Sequence, residues 1–385
     1  MIYPIERDDV NFEKMKDLYQ SYPRHPVIQG ILAGHNNGRL FVDHPKNPTC
    51  ALLWAEQEIF YLLGEPKESF VAALPTFIKE VIAPEAIRID DPFFQVELLP
   101  GGRHSLQWQS IIEDQLQAFI PKPYDRVMLT FSPEQFRHLS SIPIPNGIRV
   151  ERITTEMLTT APYQQVRERV TDFWVTSEAF IEKGFGYVVC LEDEVVGCCL
   201  TAFATETDVE VGVETYHRAH RGKGYGELVT RAFLETCLEE GRIPHWKTED
   251  FRLPSIKLAQ KVGFIHPQRV QAYVFLYNER DNFVFTAYHR LRYTGDDVKA
   301  EHYIDEAMRL GKLKGWHHFL LACGYSLAKK TEKSYSHMVR ALDLGWRNLS
   351  DIRYDLDLIH LRHTKRGQML LEAFERDLGN EREGT

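Results

Sequence analysis

The segment VEVGVETYHRAHRGKGYGELVTRAFLETCLEEG, which begins at Val209, limits the fold more than any other part of the chain. It opens as a strand, where successive side chains alternate between faces. Glu210, Gly212 and Glu214 therefore share one face, while Val209, Val211 and Val213 turn toward a core. After the glycines Gly222, Gly224 and Gly226, the residues Val229, Phe233 and Cys237 fall at i, i+4 and i+8 on one face of a helix that Gly241 stops. A strand that runs through a glycine-rich loop into a helix start presents backbone N–H groups and a favourable dipole to an anion. A diphosphate fits that end.

Spacing narrows the choice of diphosphate. A dinucleotide loop requires GxGxxG, but the position that needs the third glycine is Glu227. A P-loop requires GxxxxGK followed by Ser or Thr, and the loop has no such run. The pattern RxxGxG fits, with Arg221, Gly224 and Gly226 in register.

With this residue set the chain resembles the GNAT superfamily of acetyltransferases. The strand-turn-strand over residues 187–203 and the stretch LPSIKLAQKVGF, from Leu253 to Phe264, stand at the distances that family shows, so the resemblance covers roughly residues 148–278. It implies a mixed α/β fold with a central mixed sheet flanked by helices, and acetyl-CoA as co-substrate with no metal. Arg221, Gly222, Lys223, Gly224, Tyr225 and Gly226 would then hold the pyrophosphate. The thioester would lie along residues 209–215, against Val211 and Val213, with a backbone amide near Val213 polarising its carbonyl. An acceptor amine must lose a proton before it attacks, and Glu210 and Glu214 are the candidate bases. By resemblance Glu210 occupies the place of the family's glutamate base. Two positions depart from the pattern: Ala259 stands where a tyrosine acid is usual, and Arg252 where an asparagine is common. A thiolate leaves readily without an acid, since the free cysteine analogue has a pKa of about 8.5.

At 385 residues the chain is expected to hold two or three domains, at about 150 residues each. The proline-rich stretch SSIPIPNG, from Ser140, suggests a boundary, and the expected units are 1–140, 141–280 and 281–385. In the first unit, strands are expected at 38–42, 51–55 and 59–63, a helix at 69–81, and irregular strands and turns over 87–107. Its stretches GRLFVDHPKNPTCALLW and IFYLLGE resemble a second, degenerate GNAT-like unit that lacks the loop. Such a unit could shape the acceptor cleft or mediate a homodimer. The second unit is expected to run strand 148–153, helices 155–182, strands 187–191, 195–203 and 209–215, helix 227–240, strand 243–248, helix 254–262 and strand 270–277.

Beyond Asp281 the pattern is helical, and Ala307-Met308-Arg309-Leu310-Gly311 returns as Ala341-Leu342-Asp343-Leu344-Gly345. The offset of 34 residues resembles a tetratricopeptide repeat, a surface for a peptide or protein partner; a helical bundle with a chance match is the alternative.

A net charge of -9 argues against wholesale nucleic-acid binding. The longest apolar stretch, residues 195–204, is about half a membrane span, and MIYPIERDDV does not read as a signal peptide. Six cysteines without a CxxC pair read as small buried hydrophobes, and a cytoplasmic location is expected. His217 and His220 read as exposed turn residues, Trp246 as core, and His317 and His318 as surface and packing residues. Two functions remain. One is an N-acetyltransferase acting on a small-molecule or protein amine, supported by the loop and the two acids. The other is a catalytically weak CoA-binding protein whose C-terminal helices hold a partner, the side on which Ala259 and Arg252 fall.

Overall fold

The computed structural model describes residues 1–5, 18 and 24–383; of the opening MIYPIERDDV, residues 6–10 lie outside that set. Contacts divide the chain into two compact units, Met1–Leu116 with Pro123–Val274, and Gln117–Lys122 with Phe275–Thr385. The boundary expected near Ser141 falls inside the first unit.

Among the described residues that unit is built on one 12-stranded sheet, ordered β1-β2-β3-β4-β5-β12-β6-β11-β10-β9-β8-β7. The strands are β1 Tyr3–Ile5, β2 Arg39–Val42, β3 Cys50–Ala55, β4 Ile59–Gly64, β5 Phe93–Glu97, β6 Lys122–Phe131, β7 Ile148–Arg152, β8 Gly186–Leu191, β9 Glu194–Ala204, β10 Asp208–Thr215, β11 Ile243–Glu249 and β12 Phe264–Leu276. β3 and β4, CALLWA and IFYLLG, are buried almost throughout, as a central strand covered on both faces requires. β7 to β10 form an antiparallel meander, and β10 then pairs in parallel with β11. The helix Tyr225–Glu239 makes the crossover between them. Its Val229, Phe233 and Cys237 are fully buried, Phe233 stacks on Phe185 at 4.5 Å, and Gly241 follows at φ 69°. All six cysteines are buried and free.

Three expectations are met in part. The helix foreseen over 69–81 is the first part of a longer run: helix Glu68–Phe77, a π turn Ile78–Ile82, and helix Ala83–Arg88. Pro75 and Pro84 each remove a helical donor, and the widened turn lies between them. The stretch 87–107, expected as irregular strands and turns, contains β5 and enters the helix Ser105–Gln115, where Trp108 and Ile112 form the buried i, i+4 pair. β12 begins at Phe264 rather than near Val270.

The second unit is helical. The helices Glu279–Thr294, Asp297–Arg309, Gly315–Leu327 and Thr331–Asp343 follow one another with short connections. Ala307 and Ala341, the paired members of the sequence echo, are both fully buried near the ends of the second and fourth. Of the surface and packing roles expected for His317 and His318, packing holds for both, since both are buried. His317 Nδ1 accepts the Lys314 amide at 3.0 Å and its Nε2 lies 2.9 Å from Asp281; His318 Nδ1 meets His337 Nδ1 at 2.9 Å.

Candidate active site

The site begins where two parallel strands part. β10 and β11 pair over Asp208↔Ile243, Val209↔Pro244 and Glu210↔His245. Beyond that point β11 keeps only its pairing with β6 on its other edge, through Trp246↔Leu129, Lys247↔Met128 and Glu249↔Arg126, while β10 continues along β9 as far as Thr215. The Tyr216 amide donates to the Val196 carbonyl at 3.0 Å, which fixes the alternation. Glu214 and Gly212 then bond toward β9, and the amides of Val211, Val213 and Thr215 face the side that β11 has left. A cavity opens there, lined by Val211, Gly212 and Val213, by Trp246 and Thr248, and by Arg252 and Ser255 from the next helix.

The glycine loop stands beyond the open end of β10. Arg218–His220 makes one 3-10 turn, Gly222 and Gly224 adopt φ of 76° and 89°, and Gly224 is the N-cap of Tyr225–Glu239. No atom lies within 4 Å of where a Cβ would stand at either glycine, so both backbones are open to an approaching group. The amides of Glu227 and Leu228 turn back to the Gly224 carbonyl at 3.0 and 3.1 Å. Among the described residues the amides of Lys223, Gly224, Tyr225 and Gly226 have no backbone acceptor, the usual condition of a helix start. Arg221 and Lys223 are exposed beside them. Gly226 packs closely, since a Cβ there would stand 3.3 Å from Leu258 Cδ2. Glu227 is buried and tied to Arg231 at 2.9 Å and to Lys261, which anchors the first turn. His217 is exposed, but His220 is mostly buried, 3.7 Å from Glu194.

Glu210 occupies the fork between β10 and β11. It lines the cavity just described and a second one of about 300 Å³. The second is walled by Pro26, Leu99, Pro100 and Met128 from the N-terminal half, with Arg24, His25, His245 and Lys247 as its polar groups. Withdrawal from water pushes the Glu210 carboxyl up to about 7, against the pull of Lys247, His245 and Arg126. Glu214 lies further along the same face, exposed and 3.6 Å from Arg169. The two acids share a face, but only Glu210 lines the cavities.

Beneath Glu210 lies a buried ionic cluster. Glu97 on β5, with a side chain wholly shielded from solvent, receives Lys247 Nζ at 2.6 Å and faces Arg126 at 3.4 Å. Arg126 reaches Glu58 at 2.9 Å. Against the cost of burial, Glu58 and Glu97 hold the Arg126 guanidinium firmly charged, and Arg126 in turn holds Glu58 ionised. Burial, reinforced by Lys247, keeps the His25 imidazole well below its usual pKa, so that it is neutral. Burial and the Glu97 carboxylate push the Tyr61 phenol up. Next to His245, Asp208 is 1% exposed and meets His245 Nε2 at 2.7 Å, Thr207 Oγ1 at 2.6 Å and Arg24 Nε at 3.3 Å.

Sequence reasoning missed this cluster. Its signal was present in β11, where His245, Lys247 and Glu249 alternate with buried Pro244, Trp246 and Thr248. Trp246 is a core residue as expected, edge-on to Phe264, with Nε1 donating to Ser255 Oγ at 3.1 Å. Ala259 is fully buried, so that helix position presents nothing to a leaving group. Arg252 caps the helix Leu253–Lys261 without a side-chain cap bond and pairs with Glu249 at 2.7 Å.

Among the described residues no group of three or more His, Cys, Asp or Glu is placed to hold a metal, and no helix is long and apolar enough to cross a membrane. The sequence is 27% identical over 264 residues to an uncharacterized N-acetyltransferase, YdfB, of Bacillus subtilis, covering 66% of this chain and 91% of that protein. Among solved structures, a GCN5-related N-acetyltransferase-like protein from Streptococcus suis aligns with a TM-score of 0.48 at 20% identity, covering 68% of this chain and 97% of that one. A tandem GNAT protein from the clavulanic acid biosynthesis pathway aligns with a TM-score of 0.48 at 16% identity, covering 72% and 98%. The model of the GNAT acetyltransferase family matches residues 16–273, well over half of the sequence. The chain belongs to the GNAT acetyltransferase family and is an acyltransferase.

Proposed function

We propose that this protein is an acetyl-CoA-dependent N-acetyltransferase that acts on a primary amine of a small molecule. The observation that carries the reading is the position of Glu210 in the strand fork, lining both cavities. Acetyl-CoA supplies the activated acyl carbon. The open amides after Gly222 and the exposed Arg221 and Lys223 suit its pyrophosphate, and the Val211 and Val213 amides suit its pantetheine arm and thioester carbonyl. An amine entering the cavity walled by Pro26, Leu99, Pro100 and Met128 meets Glu210, whose carboxyl near 7 is half ionised at neutral pH and suited to take a proton. Glu214, exposed and paired with Arg169, is the weaker candidate. With Ala259 buried, the thiolate leaves without a tyrosine acid.

The N-terminal half, read as a degenerate GNAT-like unit, supports the reaction by walling the acceptor cavity. For the C-terminal helices we infer a short tetratricopeptide-like array, supported by the buried Ala307 and Ala341 at equivalent helix positions.

The test is a thermal-shift titration with acetyl-CoA followed by thiol-release assays on tyramine, spermidine and lysine. Stabilisation together with thiol release is expected. Stabilisation without release on any amine would favour a CoA-binding protein, and no stabilisation would overturn the cofactor assignment.

A further inference from the structure

Asp208, Glu210, His245 and Lys247 all project from one face of the sheet. Asp208 and Glu210 are two apart on β10, His245 and Lys247 two apart on β11, and Glu210 and His245 are register partners in the parallel pair. Neighbouring strands lie about 4.8 Å apart, and both side chains line the cavity of about 300 Å³. His245 Nε2 stands 2.7 Å from Asp208 Oδ1. Asp208 is almost wholly buried, and its hydrogen bonds to His245 and Thr207 outweigh the effect of burial and keep it ionised. An ionised carboxylate only accepts, so Nε2 carries the hydrogen and Nδ1 is left as the ring's basic nitrogen.

We propose that His245, oriented by Asp208, relays the acceptor amine's proton from Glu210 to solvent. The inference rests on the acetyltransfer reading above. An ammonium acceptor gives two protons over the reaction. The first passes to the Glu210 carboxylate, from there to His245 Nδ1, and then to water, since the His245 side chain is 27% exposed. The freed amine forms the C–N bond, the C–S bond breaks, and the thiolate takes the second proton as the nitrogen becomes an amide. Asp208 stabilises the transient imidazolium, so it is a positioning residue. Among the described residues, the other charged or titratable groups around the imidazole are Arg24 and His25 beside the helix Pro26–Leu32, Lys247 on β11, Arg126 on β6 and Glu97 on β5. Arg24 is tied to Asp208, Lys247 and Arg126 to Glu97, and His25 lies 3.4 Å from Lys247 Nζ, so among the described residues His245 is the group left to carry the proton.

The test uses the full chain with acetyl-CoA and whichever of tyramine, spermidine or lysine turns over fastest. His245→Gln keeps an N–H for Asp208 but cannot carry a proton. We expect its kcat at pH 7 to fall at least about tenfold, less than the roughly 10²- to 10⁴-fold of a group that takes the proton directly, with KM for acetyl-CoA unchanged. His245→Ala should fall similarly and recover in part with added imidazole. Wild-type kcat in His245→Gln, or no imidazole rescue of His245→Ala while Glu210→Gln is impaired, overturns the relay and leaves the acetyltransfer reading intact. Nitrogen-15 spectra that show the His245 hydrogen on Nδ1 also overturn it. No thiol release by the wild type with any of the three amines overturns both.

Discussion

Gly224 separates what the loop does for stability from what it does for binding. It adopts φ 89° at the start of the helix Tyr225–Glu239, and no atom lies within 4 Å of where its Cβ would be. Gly224→Ala therefore meets no clash, and its cost is the left-handed backbone, about 1–2 kcal/mol. A loss of that size lowers Tm by about 2–4 °C per kcal/mol in a domain of this class. The strain is the same with and without ligand, so any loss of CoA affinity reflects only the methyl standing in the open approach to the backbone, and it should be far smaller than that of a charged variant. Gly224→Glu adds a carboxylate to the same strain. At about 4 Å from a phosphate, with an effective dielectric of about 20, like charges repel by about 4 kcal/mol. That corresponds to roughly a thousandfold in Kd. Calorimetric titration with CoA, beside melting curves of both variants, gives the two quantities separately. Wild-type affinity in Gly224→Glu would refute the pyrophosphate assignment, and equal losses in both variants would refute the electrostatic account in favour of loop collapse.

Glu210→Gln should lower kcat by about 10²- to 10⁴-fold and abolish the limb of the wild-type pH–rate profile that rises through about 7, because the base works only when ionised. The raised carboxyl also means that the folded protein binds more protons than the unfolded chain between its ordinary value and about 7, so its contribution to stability is lost as pH rises through that window. Glu210→Gln should then melt above wild type at pH 8, with the gap closing as pH falls. Arg126→Met leaves Glu58 and half of Glu97 without a cation, and denaturant unfolding should show a loss of about 3–5 kcal/mol. Ala259→Tyr restores the family's usual residue at a position with no exposed surface. It should cost about 1–3 kcal/mol by overpacking without raising thiol release, and a faster variant would show that the helix can deliver an acid.

The loop and the strand before it were legible because local chemistry specifies them: alternating valines, glycines at positive φ and a helical stripe each act over a few residues. β6 was not legible for the opposite reason. Its inward positions include Lys122 and Arg126, so a strand that carries buried charge lacks the apolar alternation that announces one. Arg126 is buried because Glu58, from the turn before β4, and Glu97, from β5, supply its counter-charges, and such pairing appears only when the sheet has formed. For the same reason Glu210 was recognisable as a candidate base, whereas its altered affinity for a proton and its neighbours His245 and Lys247 depend on strand order.

That order has a consequence for the way the chain is made. β12, residues 264–276, lies between β5 and β6, which are complete by residue 131. During synthesis at about 5–20 residues per second, those two strands leave the ribosome many seconds before the one that belongs between them. Until it arrives, each carries an unpaired edge, the kind of surface that recruits strands from other chains. Long-range closure of this sort is slow to fold. The sheet that carries the strand fork thus becomes continuous only with its last-made strand, and chains stopped before residue 264 should accumulate as aggregates, whereas those extended past 276 should not.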